Sequence, residues 1–173
     1  MTQKAQLVAS EHLTQVPSHL TYSSIVSRES ARIIFLLAAL NDLQVLSADI
    51  GSAYLNAPNC EKVYSITGKE FCSHVGETVI IGLTLCGLKS AGVAWQCHLL
   101  ANSLYSLGYG SCLADPDIWL RPASKNDGTM YYEYLAIYID DTLCISDSPM
   151  TTMKAIADLY CLKDYQKHIW VHR

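Results

Sequence analysis

The stretch over residues 134–146, YLAIYIDDTLCIS, constrains the fold more than any other part of the chain. Two apolar, strand-like runs flank Asp140-Asp141, and bulky residues run up to the acids on both sides, where glycine or asparagine is usual. The pattern predicts a tight antiparallel hairpin with both carboxylates at its tip. Adjacent carboxylates repel, and a bound divalent cation offsets that cost. A solvated turn and a cation site both stay open on this segment alone.

The surrounding pattern is mixed α and β. Residues 4–9 read as a short strand, and residues 10–24 are polar and rich in turn formers. Ser27 is an N-cap candidate with Glu29 in the first turn, and Ile33, Leu37 and Leu40 recur at helical spacing until Asn41-Asp42 ends the run. Residues 43–50 look like a strand leading into Gly51-Ser52-Ala53, a tight turn or helix start. Residues 63–66 and 78–83 read as strands. A second helix is expected over 90–107, with Val93, Cys97, Leu100, Leu104 and Leu107 as one apolar stripe and Gly108 as its left-handed cap. Asp115-Pro116 turns the chain. Residues 118–121 can then pair with 131–139 around the Asn126-Asp127-Gly128 turn. Ser148-Pro149 opens a last helix whose expected buried face is Met150, Met153, Ile156, Ala157 and Tyr160.

Composition narrows the function classes. Hydrophobic residues make up 50% of the 173, enough for one core and too many for global disorder. The longest apolar run, residues 33–40, has eight residues, whereas a membrane-crossing helix needs roughly 20. Residues 1–20 lack the apolar segment of a secretory signal, so an intracellular setting without a membrane partner is expected. Seven cysteines form no CxxC pair, which leaves a zinc ribbon or thioredoxin-type site unsupported and fits reduced, buried thiols. His168 and His172 share a helical spacing but have no further ligands nearby. A net charge of −4 is the wrong sign for a freestanding nucleic-acid binder.

A third acid changes the weight of the first two. Asp49 lies near the end of an apolar strand, 91 residues before Asp140, and Ile50, Gly51, Ser52 and Ala53 follow it. A carboxylate at a strand's end can hold a metal while the next turn's backbone amides receive phosphate. Carboxylates from neighbouring strands can bring two Mg²⁺ ions to roughly 3.5–4 Å apart for phosphoryl transfer. A two-metal nuclease or phosphatase would also use such acids. No G-x-x-x-x-G-K-[ST] loop supports an ATPase.

Four blocks, in order, carry a resemblance. KAQLVASEHLT (4–14), ADIGSAYLNA (48–57), LCGLKSAGVAW (85–95) and YIDD (138–141), with ADPDIW (114–119) between the last two, resemble the reverse transcriptase domain of copia-type LTR retrotransposons over about residues 4–165. The resemblance implies an α+β polymerase fingers and palm: an antiparallel sheet with helices packed on one face and a catalytic Tyr-Ile-Asp-Asp hairpin. Residues 1–42 and 60–90 would be mainly fingers, and 43–59 and 91–173 mainly palm, with thumb and RNase H missing.

It also implies roles. Asp49, Asp140 and Asp141 match the catalytic and metal-binding carboxylates, Asp49 and Asp140 being the expected direct ligands of two Mg²⁺ ions, with Mn²⁺ as an alternative. Ile50, Gly51, Ser52 and Ala53 would offer amides to the triphosphate. Tyr54 matches the aromatic position beneath the incoming sugar, where a ring excludes a ribose 2′-hydroxyl; a core tyrosine is the other reading. Gly87, Lys89 and Gly92 fall in the motif bordering the nucleotide, or are simply turn residues and a solvated charge. Lys4 belongs to the fingers block, where Gln6 replaces the family's usual arginine. Cys86 replaces its usual tyrosine.

The implied reaction is RNA- and DNA-templated extension of a primer 3′-hydroxyl from deoxynucleoside triphosphates. The implied partners are a template with primer and the thumb, RNase H and integrase parts of a polyprotein that serves DNA integration, in a cytoplasmic particle or the nucleus. The match fades after Leu162-Lys163-Asp164-Tyr165, since residues 166–173 do not resemble the family's next segment. A truncated, catalytically inert remnant that keeps the fold is the competing reading.

Overall fold

The structure, a computed structural model, describes residues 8–9, 23–59, 61–99 and 103–168, with residues 166–168 by backbone only. Lys4, Gln6 and most of the strand expected over 4–9 lie outside the described residues, as does His172. In chain order the elements are α1 (Arg28–Leu40), β1 (Gln44–Ile50), β2 (Tyr64–Ile66), β3 (Thr78–Ile80), α2 (Ala91–Leu99), β4 (Gly110–Ser111), β5 (Ile118–Ser124), β6 (Met130–Tyr138), β7 (Asp141–Ser146), α3 (Pro149–Ala157) and β8 (Leu162–His168). They fall into two compact units, residues 24–53 with 99–173 and residues 1–23 with 54–98.

The larger unit is a six-stranded sheet in the order β4-β5-β6-β7-β1-β8, every neighbour antiparallel. In such pairs directly opposed residues share a face. Val45, Ile118, Ala136 and Ile145 lie on one face and pack against Ile34 and Ala38 of α1. Glu133 lies on the other face, where Thr152 of α3 donates a hydrogen bond to it. Helices thus cover both faces of the sheet, not one as expected. The cause is that α1 and α3 flank the strands in sequence and each brings its own apolar stripe.

Local chemistry explains the ends of α1. Ser27 is extended, and its hydroxyl accepts from Ser30 N–H; the N–H of Asn41 donates to Leu37 O. Ser27 N–H donates to Asp115 Oδ2 at 3.0 Å, and Asp117 N–H donates to Asp115 Oδ1, so the acid of the Asp-Pro turn anchors the helix start. The buried face of α1 is Ile34 and Ala38, whereas Ile33 and Leu40 are 57% and 72% exposed. An unbroken apolar run from Ile33 to Leu37 lets periodicity suggest more than one face, and sheet contact selects the one with small Ala38. In α3, Met153 and Ile156 are buried as expected, as is Tyr160 just past the helix end; Met150 and Ala157 are exposed, and Pro149 and Thr152 are buried with the others.

In the smaller unit β2 pairs antiparallel with β3, and Pro58 bridges to Leu83. Ala9 N–H donates to Cys86 O at 2.8 Å, and the chain passes so close that a Cβ on Gly87 would collide with Ala9 O. Gly87 also has φ +87°, so both conformation and space require glycine there. Helix α2 is described over Ala91–Leu99, and the next residues of the expected run, 100–102, lie outside the described residues; Leu104 of the expected stripe is buried, and Gly108 takes the expected left-handed conformation at φ +83°. The helix buries Ala91, Trp95 and Leu99, while Cys97 of the expected stripe is exposed. The large indole takes the inward position.

No helix among the described residues is long and apolar enough to cross a membrane. The described cysteines are free thiols; Cys144 is buried, but Cys72, Cys97 and Cys161 are exposed rather than packed inside.

Candidate functional site

Strand β1 carries Asp49 near its carboxyl end. The direct partner of Asp49 on β7 is Asp141, and its direct partner on β8 is Lys163. Asp141 opens β7 opposite Tyr138, so β6 and β7 are joined by the two residues Ile139 and Asp140. Ile139 has φ +57°, a conformation that a β-branched residue rarely adopts and that glycine usually supplies at the first position of such a turn. The Asp140 carbonyl accepts from Ile50 N–H at 2.8 Å, which ties the turn to the end of β1.

Three acids predicted from sequence are therefore gathered at one corner. The strand register joins Asp49 to Asp141, and Asp140 adjoins them at the turn. Partial desolvation raises the Asp141 carboxyl above the ordinary carboxylate range, and the charges of Asp140 and Asp49 push it the same way. Each added negative charge makes the next ionisation harder, so the corner favours a cation. Among the described residues, no three His, Cys, Asp or Glu side chains are arranged to hold a metal ion. Mg²⁺ is commonly bound by one or two carboxylates completed by water and substrate phosphates. The expected ligand pair is Asp49 with Asp140, but the register opposes Asp49 to Asp141 and leaves Asp140 in the turn, so it is the hard oxygen donors of Asp49 and Asp141 on adjacent strands that fit that requirement.

The expected amide cradle is partly engaged already. Ile50 N–H donates to Asp140 O, and Gly51 N–H donates to Cys161 O at 2.7 Å. Ile50, Gly51 and Ala53 are buried; Ser52 is exposed with φ +55°. Tyr54, Gly87, Lys89 and Gly92 lie in the smaller unit. Tyr54 is half-buried in a 3₁₀ turn over Ala53–Asn56, and Lys89 is half-buried ahead of α2. A Cβ on Gly92 would sit 3.0 Å from Ser23 Cβ, so this glycine allows close packing of the chain at Ser23.

Sequence reasoning missed Lys163 as a member of the acidic corner. Only the pairing of β8 with β1 brings it there, and no local pattern announces that pairing. The available signal is the LKDY segment (162–165), whose resemblance to the family gives its lysine no place.

The chain is 27% identical over 140 residues to the retrovirus-related Pol polyprotein from transposon TNT 1-94 of Nicotiana tabacum, covering 80% of this chain and 10% of that protein. It is 28% identical over 124 residues to a transposon Ty5-1 protein of Saccharomyces cerevisiae, covering 69% of this chain and 38% of that protein. The chain thus spans well under half of the length of either relative. No solved structure matches. The family model described as reverse transcriptase (RNA-dependent DNA polymerase) matches residues 1–167, and the chain belongs to that family, in its retrotransposon branch.

Proposed function

We propose that this chain is the fingers and palm part of an RNA-directed DNA polymerase that extends a primer 3′-hydroxyl on an RNA or DNA template. The observation that carries the reading is the register of β1 against β7, which opposes Asp49 and Asp141 beside a turn bearing Asp140. In this reading residues 43–59 and 91–173 are mainly palm and residues 60–90 fingers; α1, expected with the fingers as part of residues 1–42, belongs to the compact unit of the six-stranded sheet.

Asp49 and Asp141, with Asp140 at the turn, would hold Mg²⁺. Bound there, it supplies activation of the primer hydroxyl and neutralisation of the β- and γ-phosphates. The chain's own contribution is to hold the carboxylates in place. The Ile50 to Asp140 hydrogen bond keeps the turn against β1, and the buried Ile50 and Ala48 anchor the strand behind Asp49. No protein nucleophile enters the reaction, so the cysteines have no chemical part in it. Tyr54 bounds the sugar and selects deoxynucleotides; Lys89 and Gly87 border the base and template. The further partners are the thumb, RNase H and integrase parts of a polyprotein.

One observation favours a second reading, an inert domain that keeps the fold: the Ile50 and Gly51 amides, expected to meet phosphate, are engaged within the chain. Primer extension by the purified chain separates the two. Activity with Mg²⁺ that disappears in Asp140→Asn supports the polymerase. Equal signal from the variant, or none from either protein, supports the inert domain.

A further inference from the structure

Two backbone features determine what stands beside Asp49 on its outer side. From Ser47 to Asp49 the strand β1 advances two residues, while its partner β8 advances three, from Gln166 to Lys163. The extra residue is a β-bulge, and Asp164 within it has φ +50°, a left-handed conformation that aspartate tolerates better than most residues. Continued without the bulge, the register that joins Ser47 to Gln166 would set Asp164 opposite Asp49. The bulge places Lys163 there instead, exchanging a further carboxylate for an ammonium. The second feature is Gly51, two residues along the chain from Asp49. A Cβ at Gly51 would lie 2.7 Å from Lys163 Cε and 2.9 Å from Lys163 Nζ, so the missing side chain is the slot in which the lysine lies. Lys163 is exposed and forms no ion pair within 4.0 Å among the described residues, with Asp49 and Asp141 included, so it stands near the acids without contacting them.

We infer that Lys163, set by the β8 bulge and lodged over Gly51, is a resident counter-cation of the Asp49–Asp141 corner that weakens divalent-cation binding there. The inference rests on the reading of Asp49 and Asp141 as cation-binding carboxylates. A unit positive charge several ångströms from a divalent ion opposes its binding, and salt screens the opposition. Lys163 is thus a positioning residue that sets cation affinity without being a ligand.

The test is Mn²⁺ titration of the full 173-residue chain, free and bound metal being distinguished by electron paramagnetic resonance. Lys163→Met should bind Mn²⁺ about five- to tenfold more tightly at low salt, with the gap closing as salt rises. Lys163→Arg, which keeps the charge, should stay near the parent value. Gly51→Ala fills the slot and displaces the flexible end of Lys163, its Cβ also coming 3.1 Å from Cys161 O, so it should alter Mn²⁺ affinity more in the parent than in a Lys163→Met background. Asp49→Asn is the control. If Asp49→Asn leaves Mn²⁺ binding intact, the carboxylate reading fails; if Asp49→Asn weakens binding but Lys163→Met does not tighten it, the counter-cation role alone is overturned. Equal effects of Gly51→Ala in both backgrounds would overturn the slot.

Discussion

Arg121 and Glu133 face each other as direct cross-strand partners on β5 and β6, and Arg121 Nε donates to Glu133 Oε2 at 2.8 Å. The Glu133 side chain is only 4% exposed, and Thr152 donates to its other oxygen. Arg121 also donates to Leu107 O and lies 4.6 Å from the centre of the Tyr109 ring. Burial pushes the Tyr109 hydroxyl and the Cys144 thiol well above their usual ranges, so both stay neutral around this single ion pair.

Removing one partner of such a pair leaves a buried charge uncompensated. Arg121→Met should therefore cost about 3 kcal/mol of stability, and adding Glu133→Gln should restore a good part of it. Urea denaturation of the two variants checks this. An unchanged midpoint in Arg121→Met would show that Glu133 does not depend on the arginine.

Asp115 gives the fold an acid limit. Its burial works to raise the carboxyl, but hydrogen bonds from Ser30, Ser27 and Asp117 outweigh it and hold the group below the ordinary range. A carboxyl lowered on folding contributes stability that is fully present above its unfolded value, about 3.9, and is lost as pH falls through the folded value. Thermal melts between about pH 6 and pH 3 should show a steeper acid loss in the parent than in Asp115→Asn. At neutral pH the variant should be less stable by about 1–2 kcal/mol, because it gives up hydrogen bonds to a charged acceptor.

For Tyr54 the prediction concerns substrate choice. If the proposed polymerase function holds, Tyr54→Ala should raise use of ribonucleotides relative to deoxynucleotides by roughly tenfold in primer extension, by removing the ring proposed to meet the 2′-hydroxyl. Unchanged discrimination assigns the ring to the core.

Affinity for a primer–template duplex should be weak and salt-sensitive. With a net charge of −4, the cations available near the family blocks are Lys4, Lys62, Lys69 and Lys89. If each meets one phosphate, binding should fall roughly a hundredfold between about 50 and 200 mM salt. Filter binding across that range measures it, and appending thumb and RNase H sequence from a longer relative should restore affinity. Tight, salt-insensitive binding would contradict the picture.

Legibility in the sequence was local. Ser27, the Asn126-Asp127-Gly128 turn and Ser148-Pro149 mark element ends because each rests on chemistry within a few residues. The strand runs around Asp140-Asp141 were legible for the same reason, and the turn closes at Ile139 and Asp140. Contacts made across long separations were not. Nothing near Leu162 states that it will pair with Ile50, and the local pattern suggests no strand over Leu162–His168. The inward face of α1 and the exposure of Cys97 on α2 differ from expectation because several apolar residues compete for one stripe, and bulk and neighbours decide among them.

The strand order also bears on how the chain is made. β1 lies between β7 and β8, both of which come more than ninety residues after it. At a synthesis rate of about 5–20 residues per second, the apolar segment carrying Asp49 waits roughly 5–20 s after leaving the ribosome before its first sheet partner exists. Throughout that interval both edges of β1 lack their native partners, so the segment that carries the first acid is also the one a nascent chain must most shield from aggregation.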